Sequence, residues 1–186
     1  MEFFAIWLST FGVIFAIVDP FGYVPIFLSM TANDSDERRR VMLKKACATA
    51  FLVLTLSAVL GNQILHFFGI SIPALQISGG IILLVIGFEM LKVIEVQEKL
   101  SSAEVESGTK KEDISIIPLA IPMLSGPASI AAVVVLSSTT DSWLVYPAII
   151  LSTFVTLLIT YLILRSAGRI LKVIGDTGLK VMTRIM

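Results

Sequence analysis

Apolar residues run along this chain in five long blocks, at about residues 3–30, 46–68, 72–94, 114–138 and 143–164. A membrane-spanning helix takes about 20 mostly apolar residues, so each block predicts one span. Two of the blocks are interrupted. The first contains Asp19-Pro20-Phe21-Gly22-Tyr23-Val24-Pro25, and the fourth contains Ile121-Pro122-Met123-Leu124-Ser125-Gly126-Pro127-Ala128-Ser129-Ile130. Proline removes a backbone donor and clashes with the preceding turn. Both blocks are therefore expected as broken helices. Unpaired backbone groups survive at membrane depth only where protein or a water-filled cavity covers them. The breaks thus predict a buried polar cavity near the bilayer centre.

Composition agrees with spans rather than buried core helices. The chain has 186 residues, 56% of them hydrophobic, and a mean hydropathy of +0.93. Too few polar residues remain to cover a soluble globule. The formal net charge is zero, which suggests no basic surface for nucleic acid. One cysteine, Cys47, and one histidine, His66, leave no basis for an internal disulfide or a Cys/His metal site. The start carries Glu2 and no basic residues, which argues against a cleaved signal peptide.

Charge gives the orientation. All fourteen Lys and Arg residues fall in three places, at 38–45, 92–111 and 165–184. The amino terminus and the turns at 69–71 and 139–142 carry none. By the positive-inside rule the basic connections are cytoplasmic and the amino terminus is outside. The mixed Lys, Glu, Ser and Gly stretch at 95–113 reads as a solvated cytoplasmic connector.

The two interrupted blocks also answer each other. Four residues separate Pro20 from Pro25, and four separate Pro122 from Pro127. Ala50-Phe51-Leu52-Val53 in the second block is matched by Thr153-Phe154-Val155-Thr156 in the fifth. Three spans per half force the second half to enter from the opposite side, as in the inverted repeats of secondary transporters. The expected fold is an all-α membrane protein of two inverted three-helix repeats, each with a broken first helix. The divisions are 1–95, a linker at 96–113, and 114–186. The last helix is expected to be missing or incomplete, because the counterpart of 81–94 would follow Met186.

Candidate chemistry gathers at the breaks. An acid inside a span is costly and a functional candidate by default. Asp19 suits a substrate ammonium, a coupling proton or a sodium ion; it also suits a structural cap on the amides near Pro20, and both roles can hold together. Gly22 and Gly126 would let backbone approach a small ligand. Half-helices starting after Pro25 and Pro127 would aim amides at a substrate carboxylate. Ser125 and Ser129 flank the second break. The candidate substrate-binding set is Asp19, Pro20, Gly22, Pro25, Pro122, Ser125, Gly126, Pro127 and Ser129. Elsewhere, Glu89 and Lys92 read as an interfacial pair, Asn62 and Gln63 as interhelical bonds or ligand contacts, Ser78-Gly79-Gly80 as a close-packing patch, and His66 as interfacial. No nucleophile–base pair, phosphate loop or metal-ligand spacing is present, so no enzyme is expected.

At these motifs the sequence resembles the MarC family, also called the neutral amino acid transporter family. The matching pieces are Asp19-Pro20-Phe21-Gly22-Tyr23-Val24-Pro25, Gly79-Gly80 with Gly87-Phe88-Glu89-Met90-Leu91, the run from Pro118 through Pro127, and Thr183-Arg184-Ile185-Met186. The resemblance implies a prokaryotic inner-membrane protein, usually of six spans, that transports glycine, alanine or serine. The inverted repeat with its broken helices leads us to expect alternating access at a midplane site, with no cofactor beyond a coupling sodium ion or proton. A pore for small solutes or ions and a non-transporting scaffold subunit stand as alternatives. The small residues at 12–16 would serve a homo-oligomer face.

Overall fold

A computed structural model describes residues 2–31, 34–92, 119–138 and 142–185. Seven helical elements follow in order: α1 (Glu2–Val18), α2 (Tyr23–Met30), α3 (Asp36–Phe67), α4 (Ile72–Lys92), a short wide-turned segment numbered α5 (Leu119–Leu124), α6 (Pro127–Ser138) and α7 (Val145–Ile185). The described residues contain no strand. The expected linker at 96–113 and the start of the fourth block lie outside them.

The first apolar block is two helices, as its prolines require, and the fourth block is likewise interrupted between α5 and α6. Among the described residues two helical stretches are long and apolar enough to span a membrane, Asp36–Phe67 and Val145–Gly168. Glu2–Val18, Ile72–Ile82 and Pro127–Ser138 are apolar but shorter. At 1.5 Å per residue, the 12 residues of α6 reach only about 18 Å, against about 30 Å of hydrocarbon. Each broken helix therefore needs both of its pieces to cross.

Local signals set the ends. α3 begins at Asp36, ten residues before the apolar block that was expected to define it. The Ser35 side chain accepts from the Arg38 N–H (3.3 Å), and Asp36 and Glu37 sit at the positive end of the helix. Hydropathy alone misses such a polar extension. At the other end Gly69 takes φ +66°, Ile70 N–H donates to the Leu65 carbonyl (2.9 Å) and Gly69 N–H to the His66 carbonyl (3.1 Å). This is a Schellman close, and glycine fits its left-handed position without a Cβ penalty. α7 likewise runs past the expected end near Leu164, as far as Ile185.

The packing is inverted relative to a soluble domain. Large apolar side chains face outward: Phe4 is 62% exposed, Leu52 58% and Leu84 62%. Hydroxyls are buried: Thr10, Ser125, Ser137, Ser152, Thr153, Thr156 and Thr160 all lie inside. Outward apolar surface is stable only against a hydrocarbon solvent, whereas several of the hydroxyls find carbonyls in the bundle. Thr10 bonds to Ile6, Thr160 to Thr156, and Ser152 reaches across to the Trp7 carbonyl (3.3 Å).

α3 is central, packed on α5, α6 and α7, while α1 lies on α7 and α6, and α4 lies on α6. Leu43, Ala46, Ala50, Leu54, Ala58 and Gly61 form the buried stripe of α3. Lipid supplies no hydrophobic drive between helices, so close backbone approach through small residues matters more. A Cβ at Gly61 would run into both methyl groups of Val134, Cγ1 at 2.9 Å. One at Gly79 would come within 3.2 Å of the Ala131 Cβ, in keeping with a close-packing patch there, whereas Gly80 faces open space.

Gly61→Ala is expected to destabilise the bundle by about 1–3 kcal/mol through overpacking. Gly12→Ala, where a Cβ would meet nothing within 4 Å, should be neutral or stabilising by up to about 1 kcal/mol. Thermal unfolding of both variants in detergent checks the pair. Equal midpoints would refute the close contact between α3 and α6.

Candidate functional site: two crossed helix breaks

The first break is built around Asp19. Its N–H closes the last turn of α1 on the Phe15 carbonyl (3.0 Å), and its own φ is +42°. Left-handed backbone is costly for most L-residues; Asp tolerates it because its short side chain bonds locally. Here the Gly22 N–H donates to Asp19 Oδ1 (3.2 Å). Pro20, which has no donor, is buried between them. Gly22 itself has ordinary helical angles (φ −61°, ψ −26°). Glycine is needed there for another reason: a Cβ would collide with Asp19 Oδ2. The carboxylate thus folds back over the backbone of the break.

α2 starts at Tyr23 rather than after Pro25. Pro25 is the third residue of α2, within the first turn, where its missing N–H costs nothing. The far end of this eight-residue helix is tied down. The Arg39 guanidinium donates twice to the buried Thr31 carbonyl (3.0 and 2.6 Å), and the Thr31 hydroxyl donates to Phe27 (2.7 Å).

The second break bends at Ile121, whose extended angles (φ −130°, ψ 123°) are those that Pro122 imposes on the residue before it. Ser125 closes the wide turn. Its N–H and its hydroxyl both donate to the Ala120 carbonyl (2.9 and 2.8 Å). Pro127 then occupies the first position of α6, a favoured place for proline, and its ring is exposed. The Ile130 N–H makes the next helical bond to the Gly126 carbonyl (3.0 Å). Gly126 and Ser129 are buried.

One bond joins the two breaks. The Tyr23 hydroxyl donates to the Met123 carbonyl at 2.6 Å, across 100 residues of chain. A carbonyl freed by the second break is thus satisfied by a side chain from the first. Around this contact Val18, Val24, Ala120 and Leu124 have no exposed surface. The bond sets Tyr23, next to Gly22, against Met123, next to Pro122, while Pro127 and Ser129 begin the helix leading away. Sequence reasoning passed over Tyr23 and Met123. The available signal was a phenol in the middle of an apolar block, since a buried Tyr hydroxyl usually finds a partner.

Residues 4–186 match the description MarC family integral membrane protein. This chain belongs to the MarC family. Relatives are spread over archaea and bacteria. It is 39% identical to a UPF0056 membrane protein of Methanocaldococcus jannaschii over 184 residues, covering 97% of this chain and 87% of the relative. It is 41% identical to one of Pyrococcus horikoshii over 174 residues, covering 92% and 82%. It is 32% identical to UPF0056 membrane protein YvbG of Bacillus subtilis over 184 residues, covering 98% and 87%. No solved structure matches it. As a MarC protein it is an integral membrane protein, and its outward apolar surface is the face it turns to lipid.

Two outcomes test this geometry in the MarC chain. Gly22→Ala should destabilise it, and adding Asp19→Gly should recover much of the loss, because glycine suits φ +42° and removes the obstructing carboxylate. A double-mutant cycle on thermal stability should give a coupling of about 0.5–3 kcal/mol; simple additivity would refute the contact. Tyr23→Phe strands the Met123 carbonyl and should cost about 1–3 kcal/mol, read as a lowered unfolding midpoint.

Proposed function

We propose that this MarC protein is a secondary transporter of small neutral amino acids, glycine, alanine and serine, working by alternating access at the crossed breaks. The observation that carries the reading is the Tyr23–Met123 bond, which ties two interrupted helices from opposite halves of the chain into one centre. Discontinuous helices meeting between repeats are the usual setting of a transporter's substrate site. Asp19 holds the substrate ammonium or a coupling sodium ion or proton. Backbone groups around Gly22 and Gly126, with Ser125 and Ser129, hold the carboxylate. No catalytic role is assigned.

An inverted repeat is part of the reading. Under it, 1–95 and 114–186 are the two halves, and α1 corresponds to α5–α6, and α3 to α7. The contacts are reciprocal in that way: α1 packs on α7, as α5 and α6 pack on α3. The rings of Phe51 and Phe154, matched positions of the two halves, touch edge-on at 6.0 Å between centroids. Equivalent residues meet each other only beside a two-fold axis. In the proposed orientation the basic connections are cytoplasmic, the amino terminus is outside, and the membrane is the inner membrane of a prokaryote. Rocking one half against the other would open the packed centre to each side in turn.

A thermal-shift titration of purified protein in detergent tests the function. Glycine, alanine or serine at 100 times its dissociation constant should add about 2.7 kcal/mol of stability. Dependence of that shift on sodium or pH names the coupling ion. Asp19→Asn keeps the oxygen that accepts from Gly22, so it should fold normally yet lose the shift. An unchanged shift in that variant refutes the charge role. No shift with any amino acid in folded wild-type protein overturns transport in favour of a pore or a scaffold.

A further inference from the structure

Apart from both breaks, α3 and α7 leave a groove of about 380 Å³ between them. Each helix supplies one stripe at i, i+3, i+4 and i+7, from Lys44 to Phe51 on α3 and from Phe154 to Tyr161 on α7. Residues so spaced share one helix face. The Phe51 and Phe154 rings meet edge-on at 6.0 Å between centroids and close one end of the groove. Since both stripes line the same space, the helices run antiparallel, and Lys44 and Tyr161 stand at the other end.

That other end is charged. Lys44 lines it on the α3 side. On the α7 side the Arg165 guanidinium, one turn beyond Tyr161, lies over the Tyr161 ring, 6.0 Å from its centroid. This is a cation–π distance, so the ring holds Arg165 beside the groove mouth. Each wall thus ends in an exposed cation. Glu37 shares the face of Lys44 but stands about 10 Å beyond it, exposed at the helix start, where water and salt screen it. Between the ends, Ala48, Leu157 and Leu158 line the groove, which opens outward: Leu158 is 46% exposed and Phe154 52%. Each stripe is about 10 Å long, within the roughly 15 Å of hydrocarbon in one leaflet. An apolar groove with cations at its interfacial end suits a molecule with an apolar tail and an anionic head. A symmetric dimer through this face fits less well, because two copies inserted the same way would set basic end against basic end.

We propose that this groove binds an anionic phospholipid, in the leaflet on the side of the basic connections. The phosphate lies between Lys44 and Arg165, Tyr161 sits at the headgroup level, and one acyl chain runs down to Phe51 and Phe154. The inference goes beyond the transport reading and does not depend on what the breaks bind.

The test is native mass spectrometry of the full chain, released from detergent after equilibration with equal amounts of dioleoyl phosphatidylglycerol and dioleoyl phosphatidylcholine. The two lipids share their chains and differ in head charge. The protein should keep phosphatidylglycerol in preference. A Lys or Arg near the membrane surface is worth about five-fold in affinity for anionic lipid, so Lys44→Gln should weaken the adduct about five-fold, and with Arg165→Gln added about thirty-fold. Arg38→Gln removes a cation from the start of the same helix, off the groove face, and should leave the preference unchanged. Ala48→Phe fills the groove and should remove the adduct with both cations in place. No preference in the wild-type protein, or one unmoved by the Lys44 and Arg165 variants, overturns the site. An equal loss with Arg38→Gln, or an adduct that survives Ala48→Phe, overturns the groove as its place. A dimer that Ala48→Phe splits while lipid binding persists overturns the lipid in favour of a second copy of the chain.

Discussion

A backbone amide or carbonyl inside hydrocarbon has no water to turn to, and every feature of this chain follows from finding it a partner. Unbroken helices satisfy the rule internally. The two interrupted ones cannot, because Pro20 and Pro122 stop the ladder at membrane depth. The chain meets the deficit with groups already in the breaks. The Asp19 carboxylate takes the Gly22 amide, Ser125 doubles up on the Ala120 carbonyl, and the Tyr23 hydroxyl takes the Met123 carbonyl. The last of these is also the link between halves, so satisfying the backbone and assembling the centre are one event.

The rest of the bundle is arranged to bring those breaks together. α3 offers a face of Ala and Gly where α6 must come close, and Gly61 is spaced against Val134 with no room for a methyl group. The aromatic ladder Phe4, Trp7, Phe11 and Phe15 runs down α1 and continues to Phe21 beyond the break, with neighbouring centroids 5.5–6.4 Å apart. It keeps the two pieces of the first helix in register although no helical hydrogen bond crosses Pro20. Arg39 performs the matching task at the end of α2, fixing the short helix to the start of α3.

Burial of hydroxyls gives the interior a second character. Thr55, Thr153 and Thr156 have side-chain oxygens that are buried and unpartnered, as does Asn62. In a soluble core such atoms would be defects. Under the transport reading proposed above, they would be places for water or solute to stay briefly, because a group already fully bonded has nothing to offer a passing ligand.

The sequence by itself determined where the helices break, because proline acts on its own residue and its immediate neighbours: Ile121 is extended as Pro122 demands, and α6 starts on Pro127. It also determined that the chain lives in lipid, since hydropathy is a sum over residues and needs no fold. It placed the turn at 69–71 as well, where Gly69 closes α3. Part of what was missed was still local: the Ser35 cap that starts α3 early was there to be read, but hydropathy is blind to it. Only the tertiary structure decided the rest. The left-handed turn of Asp19, with its carboxylate over Gly22, depends on a side-chain torsion that no residue pattern records. The pairing of Tyr23 with Met123 and the fit of Val134 over Gly61 depend on residues far apart in the chain. Their contacts follow from how whole helices cross, and a crossing is a property of pairs of surfaces, which no single segment carries.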